Sequence, residues 1–353
     1  MGSMGLTIIP KINLKSMSRD EIFRFVADQG LPRYKAEQLI HWIYERFVVD
    51  IDEITEFSME LRKSLKRSAY ISNPQIVERL VSSDGTKKYL FSLEDGETVE
   101  SVLIPDEGRL TLCISSQVGC AMGCLFCLTA RCGLIRSLKS YEIVDQIIAV
   151  NRAIRPEKVT NIVFMGMGEP LSNFDEVVEA LWRIVQFLRI SKRRITLSTA
   201  GIVPKMLLLP KNAPDINLAV SLNATTDKVR NELMPITKRH PIKSLVDTCK
   251  KYPLHPGRRI TFEYVLIDGK NDSFEDAHRL VKLLKGIRCK INLIPINRYP
   301  GSEFRRPPDE KILAFQKILL RNNLRALIRE SRGIDILAAC GQLRAGHLDE
   351  GAS

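Results

Sequence analysis

The sequence predicts an α/β protein, on three observations. Its first third carries short amphipathic helices and then a run of turn-punctuated strands. From Leu110 onward, strand-like and helix-like segments alternate. Seven apolar strands recur, at 110–115, 161–166, 194–199, 216–222, 259–267, 290–296 and 325–329. Alternation of this kind requires parallel strands joined by right-handed helical crossovers, and so an α/β barrel or an open sheet.

Taken in order, residues 1–17 read as an extended lead-in, and Met1-Gly2-Ser3-Met4-Gly5 as a cloning remnant. Ser18-Arg-Asp-Glu21 is a capping box that opens a helix ending at Gly30. A second helix spans about 35–47, with Leu39, Ile40, Trp42, Ile43 and Phe47 on its apolar face, and a third spans 58–67. The period then changes to that of strands, at 75–81, 87–93 and 98–104. Asp84-Gly85 and Asp95-Gly96 between them are hairpin signals, so a three-stranded meander is predicted. Beyond it, helical patterns at 140–152, 174–189, 241–251, 273–285 and 308–321 fill most gaps between the strands. The expected divisions are a helical accessory region at 1–70, a meander at 71–107, an α/β domain at 108–332 and a tail at 333–353. The last five residues read as loose.

Among 353 residues, 44% are hydrophobic and no apolar run approaches the roughly 18 residues of a membrane span. No signal-peptide core is visible, so a cytoplasmic protein is expected. There, eight cysteines point to metal binding or catalysis rather than to a structural disulfide framework. The net charge of +12 is gathered in clusters such as Lys192-Arg193-Arg194, Lys238-Arg239-His240 and Arg305-Arg306. A polyanion such as RNA is the partner that this charge favours.

Five of the eight cysteines fall between Cys113 and Cys132, in a loop that follows the first parallel strand. Cys120, Cys124 and Cys127 stand at C-x3-C-x2-C spacing, with Phe126 before the last. Three thiolates on a short loop suit one cubane iron–sulfur cluster with one iron left open. A zinc knuckle would need a fourth ligand, from Cys113 or Cys132, and simple packing of thiols is the third reading. Cys132, Cys249 and Cys289 carry no assigned role and are expected to be buried.

In parallel barrels the chemistry collects at the C-terminal ends of the strands. Here the exits read Met165-Gly-Met-Gly168-Glu169-Pro170, Ser198-Thr199-Ala200-Gly201, Ser221-Leu222-Asn223 and Pro295-Ile296-Asn297. Gly168 would allow close backbone approach to a ligand, and Glu169 would accept hydrogen bonds from an ammonium. Ser198, Ser221 and Asn223 suit a ribose or carboxylate, and Asn297 suits an adenine edge or a carboxylate.

The cysteine spacing with its aromatic residue resembles the radical S-adenosylmethionine (SAM) superfamily. That likeness implies a partial parallel (β/α) TIM-like barrel of radical SAM type, a [4Fe-4S] cluster and SAM. Several motifs together resemble one family within it, the dual-specificity RNA (adenine-C2) methyltransferases, RlmN. They are Cys113-Ile-Ser-Ser-Gln-Val-Gly-Cys120, Phe164-Met-Gly-Met-Gly-Glu-Pro-Leu171, Ser198-Thr-Ala-Gly201, Leu233-Met-Pro-Ile236, Gly333-Ile-Asp335 and Ala339-Cys-Gly-Gln-Leu343. The resemblance implies Cys120, Cys124 and Cys127 as cluster ligands. It implies Gly168, Glu169, Ser198, Ser221, Leu222, Asn223 and Asn297 as SAM contacts. Asn223 departs from the family pattern, which has His there. Cys340 is implied to receive a methyl group, Cys113 to be the second catalytic cysteine, and Glu100 to be the proton acceptor. On the strand pattern alone, Glu100 reads instead as a solvent-facing residue.

The implied reaction methylates C2 of adenine 2503 in 23S rRNA and of adenine 37 in tRNAs. Two SAM are consumed. One methylates Cys340, and the second is cleaved reductively to a radical that activates the S-methyl group. A transient Cys113–Cys340 disulfide releases the product. The implied partners are 23S rRNA, tRNA and an electron donor such as flavodoxin, with no membrane and a monomeric enzyme. The Cys340-Gly341 setting suggests an exposed and mobile thiol. Two rival readings are a Cfr-like adenine-C8 methyltransferase and a non-catalytic RNA-binding iron–sulfur protein.

Overall fold

The computed structural model describes residues 11–299 and 301–343. The expected remnant at 1–5 and loose end at 349–353 lie outside them. Helix α1 (Arg19–Asp28) opens on the capping box read from the sequence: the Ser18 hydroxyl accepts from the Glu21 amide and Glu21 accepts from the Ser18 amide. Helix α2 (Tyr34–Tyr44) buries Leu39, Ile40, Ile43 and Tyr44. Helix α3 (Met59–Ser68) buries only Leu65, so its basic residues stay outside.

The lead-in is more structured than expected. Ile12–Asn13 pairs in parallel with Ala69–Tyr70, and Lys15 is buried behind it. Lys15 Nζ lies 2.6 Å from Asp145 Oδ1, whose other oxygen accepts from the Ser72 hydroxyl at 3.1 Å. Burial pushes the Lys15 ammonium down and the Asp145 carboxyl up; each opposes the other's shift through their charge contact. This ion pair ties the helical region to the α/β domain.

One ten-stranded sheet follows. The meander is β1 (Gln75–Val81), β2 (Lys87–Ser92) and β3 (Thr98–Asp106), all antiparallel. It continues without a break into β4 (Arg109–Cys113), which pairs antiparallel with β3 and sets Val102 opposite Cys113. Six more strands are added in parallel: β5 (Asn161–Phe164), β6 (Ile195–Thr199), β7 (Asn217–Ser221), β8 (Ile260–Leu266), β9 (Cys289–Pro295) and β10 (Ala326–Ile328).

Their spatial order repeats their order in the chain. A doubly wound sheet would reverse direction at a switch point. Same-handed crossovers that always step the same way place every helix on one face. A sheet with no switch point and its crossovers all on one side is the arrangement of a partial barrel wall rather than of a doubly wound open sheet. The first crossover helix is α4 (Ser140–Ala153), which buries nearly all round, and the second is α5 (Phe174–Gln186).

A crossover helix that the sequence did not suggest, α6 (Val203–Asn212), joins β6 to β7. Pro204 sits in its first turn, where no intrahelical N–H is needed, and Pro210 falls near its end. A further short helix, α7 (Asp227–Leu233), precedes α8 (Ile242–Lys251). No helix among the described residues is long and apolar enough to cross a membrane.

Candidate active site

At the C-terminal ends of the parallel strands lies a cavity of about 170 Å³. Cys120, Cys124, Cys127, Gly168, Glu169, Ser198, Ser221, Asn223, Asn297 and Cys340 all line it. The structure therefore gathers ten of the thirteen expected site residues round one space. Leu222 does not line it: its side chain is in the core, and its backbone serves instead as a hydrogen-bonding strut. Cys113 and Glu100 do not line it and sit on the paired strands β4 and β3.

The cysteine loop is pinned by its flanks. Gln117–Gly119 pairs with Leu134–Ser137 at the loop's base, and the Cys120 amide donates to the Gly133 carbonyl at 2.7 Å. A Cβ on Gly119 would lie 1.9 Å from the Gly133 carbonyl oxygen, so only glycine fits there. The Leu125 amide donates to Leu233 at 3.0 Å, and Leu125 accepts from the Tyr299 hydroxyl at 2.9 Å. Met122, Cys124 and Phe126 pack on Leu233 and Met234.

Burial pushes the Cys120 thiol up to about 12 and that of Cys124 higher still. Without a cation these thiols stay protonated; a bound metal centre would deprotonate them. Among the described residues no three Cys, His, Asp or Glu side chains crowd one point closely enough to share a single ion. Cys120, Cys124 and Cys127 line one cavity, as a cluster in which each thiolate takes its own iron requires.

The strand exits are cross-braced. Glu169 Oε1 accepts from the Thr199 hydroxyl at 2.6 Å and the Leu171 amide at 3.0 Å, while Oε2 accepts from the Ala200 amide at 2.7 Å. Burial raises the Glu169 carboxyl above its ordinary value, and these three bonds offset only part of that rise. The carboxylate thus clips the exit of β5 to that of β6. Gly168 (φ +98°) is demanded by protein packing rather than by ligand approach alone. A Cβ there would meet Gln117 Cβ at 2.6 Å, and Gln117 in turn accepts from the Glu169 amide at 2.9 Å.

Asn223 has φ +57°, the left-handed region in which Asn, Asp and His are the favoured side-chain-bearing residues. Its Oδ1 accepts from the Val265 amide at 2.9 Å. Asn here meets the backbone requirement that the His implied by the resemblance would also meet, without a titratable group. Asn297 donates to the Cys340 carbonyl at 3.3 Å and accepts from the Ser331 hydroxyl, so it holds the tail as well as facing the cavity.

Cys340 is exposed, as expected, but its segment is anchored rather than loose. Asp335 accepts from the Ser82 hydroxyl at 2.6 Å and the Ser83 amide at 3.1 Å, and the Gly333 amide donates to Asp84 at 3.0 Å. On the other side, the Leu128 amide donates to Gly341 at 2.7 Å and the Thr129 hydroxyl to Leu343 at 2.6 Å. The tail therefore bridges the first meander hairpin and the cysteine loop. The residue is exposed as a whole, but desolvation of its sulfur, reinforced by Glu263 and Cys127, pushes the thiol up to about 11.

Cys113 is buried, and burial, reinforced by the neighbouring Cys340, drives its thiol far up. Both are free thiols here, so the disulfide implied by the resemblance is not formed in this structure. Glu100 is buried, not solvent-facing, and its carboxylate lies 3.0 Å from Lys88 Nζ. Cys249 and Cys289 are buried as expected, whereas Cys132 is exposed, a correction: it caps the short helical turn Leu128–Arg131 instead of entering the core.

Two buried groups at the cavity were not anticipated. Glu263, on β8, lines it with one oxygen accepting from Asn292 at 3.0 Å. Burial pushes its carboxyl up to about 7, against the Asn292 bond and the charges of Arg329 and Lys290. A lone charge inside the apolar strand Ile260-Thr-Phe-Glu-Tyr-Val-Leu266 was the available signal. Arg230, on α7, is fully buried beneath the exits of β6 and β7. Its acceptors are mostly backbone carbonyls, which no sequence pattern marks.

Residues 114–281 match the model of the radical SAM superfamily, and residues 12–71 match that of the ribosomal RNA large subunit methyltransferase N-terminal domain. A crystal structure of a radical SAM methyltransferase from Sphaerobacter thermophilus superposes with a TM-score of 0.90 at 42% identity, over 94% of this chain and 99% of that one. The partial barrel and its three-thiol loop thus define a radical SAM protein, the class that works with a [4Fe-4S] cluster and SAM. A dual-specificity RNA methyltransferase RlmN from Pelobacter propionicus is 50% identical over 96% of this chain and 97% of its own. Its counterpart from Syntrophotalea carbinolica is 52% identical over 95% and 90%. The chain belongs to the dual-specificity RNA methyltransferase RlmN family.

Proposed function

We propose that this protein methylates C2 of adenine 2503 in 23S rRNA and of adenine 37 in tRNAs, through a methyl group carried on Cys340. The observation that carries the reading is the convergence of a three-cysteine loop and Cys340 on one cavity, with Cys113 on β4 paired to Val163 of β5, the strand whose exit lines that cavity. Cys120, Cys124 and Cys127 hold the cluster. Gly168, Glu169, Ser198, Ser221, Leu222, Asn223 and Asn297 shape the SAM site, Leu222 through its backbone. When bound, the cluster and SAM supply a one-electron reductive cleavage that no side chain can perform.

The chain's own residues do the rest. Cys340, at the mouth of the cavity, is placed to accept a methyl group from inside and to present it to RNA outside. Glu100, fixed by Lys88 on the adjoining strand, takes the proton from C2. Once the adduct has given up the one electron supplied for the cleavage, Cys113 attacks the Cys340 sulfur: the S–S bond forms as the bond from that sulfur to the carried carbon breaks, and the carbon keeps the electron pair and takes a proton to become the methyl group of the base. Residues 1–70 and the meander at 71–107 act as accessory elements to the barrel at 108–332, and the tail at 333–353 delivers Cys340. The electron donor is a flavodoxin-like reductant, and the enzyme works as a cytoplasmic monomer.

Nucleoside mass spectrometry on large-subunit rRNA and tRNA, treated with anaerobically reconstituted protein, SAM and reductant, tests this. The expected product is 2-methyladenosine, abolished by C340A. An 8-methyladenosine product would move the reading to C8 chemistry. No methylated base from an intact, reduced cluster would refute it.

A further inference from the structure

Arg230 is 0% exposed, an extreme position for a guanidinium. Its Nη2 donates to the carbonyls of Ala200 at 2.7 Å and Ser221 at 3.1 Å, and its Nε to that of Leu222 at 3.0 Å. Its Nη1 donates to the Thr237 hydroxyl at 3.0 Å and the His240 carbonyl at 3.4 Å. None of these acceptors is a carboxylate. Five bonds satisfy the donors but leave the positive charge without a bonded anion, which is a costly arrangement for a buried ion.

The charge has a place to act. Cys124 packs against the apolar cluster of Ala200, Leu233 and Met234, and Arg230 is bonded to the Ala200 carbonyl of that same cluster. Helix α7 ends at Leu233, whose carbonyl holds the Leu125 amide at 3.0 Å, and Met234 beyond it lines the cavity. Burial pushes the guanidinium down only to about 10, so it is charged at neutral pH. One side chain therefore braces two strand exits and stands as a fixed cation beneath the apolar cluster on which Cys124 packs.

We propose that Arg230 is a positioning residue that serves as the fixed counter-charge of the cysteine loop, holding the anionic three-thiolate cluster and favouring its reduced form. The inference rests on the reading that Cys120, Cys124 and Cys127 hold a [4Fe-4S] cluster. Reduction adds one negative charge to that site. A nearby buried cation stabilises the product of reduction more than the starting state, and cluster potentials respond to such charge and to solvent exclusion.

The test compares wild type, R230K and R230Q after anaerobic reconstitution, by iron content per chain and by a redox titration followed by electron paramagnetic resonance. R230K keeps the charge but loses most of the bracing; R230Q keeps a polar group and loses the charge. R230Q is expected to shift the reduced-to-oxidised ratio at a fixed potential by about tenfold toward oxidised, equivalent to about 59 mV for one electron. R230K is expected to stay near wild type. If R230Q takes up no iron while R230K takes up a full complement, the charge requirement stands. Equal shifts or equal loss of iron in both variants would reduce Arg230 to a brace and overturn the proposal, as would an unshifted R230Q. A wild-type protein that binds no iron would instead overturn the reading of the loop.

Discussion

Replacing Glu263 with Gln should make the protein's stability less dependent on pH between 5 and 8. The carboxyl is buried in the cavity wall and titrates near 7 in the folded chain, against an ordinary value of 4.5. Between those values the unfolded chain releases its proton while the folded chain retains it. The folded state then binds more protons, so stability falls as pH rises. The contribution is whole below about pH 4.5 and is lost as pH passes through about 7. At about 1.4 kcal/mol per pH unit, the gap corresponds to about 3 kcal/mol. Gln does not titrate and can keep the bond from Asn292 to its carbonyl oxygen.

The assay is urea denaturation of both proteins at pH 5, 6, 7 and 8. E263Q should gain on wild type steadily with pH, by up to about 3 kcal/mol at pH 8. A difference that stays constant to within about 0.5 kcal/mol across that range would refute the reasoning. A cavity-facing carboxyl tuned near neutrality is also the kind of group that functional sites retain against their own stability.

Other outcomes follow from other contacts. K15M should destabilise the fold by about 3–5 kcal/mol, because it strands the buried Asp145 carboxylate. Adding D145L to K15M should restore much of that loss in the same denaturation experiment. G168A should strain the exit of β5 by about 1–3 kcal/mol, since its backbone is left-handed and its Cβ would run into Gln117. Calorimetry should show a lowered Tm, and equilibrium dialysis weaker SAM binding, because Glu169 follows directly in the chain.

The parts of the molecule governed by local pattern were legible in the sequence. Ser18 and Glu21 announced a helix start, Asp-Gly pairs announced the meander, and the cysteine spacing announced the loop. The polar strand exits showed where a cavity would form. What stayed hidden depended on distant or backbone partners. Lys15 looked like part of a solvated lead-in because Asp145, its counter-ion, lies 130 positions away. Arg230 drew no notice in the sequence because carbonyl acceptors leave no trace in side-chain chemistry. Gly168 suggested ligand approach, although the atom it makes room for belongs to Gln117. Helix α6 was masked by two prolines and by Leu207 and Leu208, which face outward and blur the apolar stripe.

The tail's two anchorages bear on how the protein comes into being on the ribosome. Leu128 and Thr129 reach 213 and 214 residues forward to grip Gly341 and Leu343, and the Ser82 hydroxyl reaches 253 residues forward to Asp335. At synthesis rates of about 5–20 residues per second, the three-cysteine loop emerges roughly 10–40 s before Cys340 does. During that interval the nascent barrel can form its wall while the side that the tail will cover stays open to the surroundings. Anything as bulky as an inorganic cluster has its widest entrance then, and arrival of the tail narrows the door.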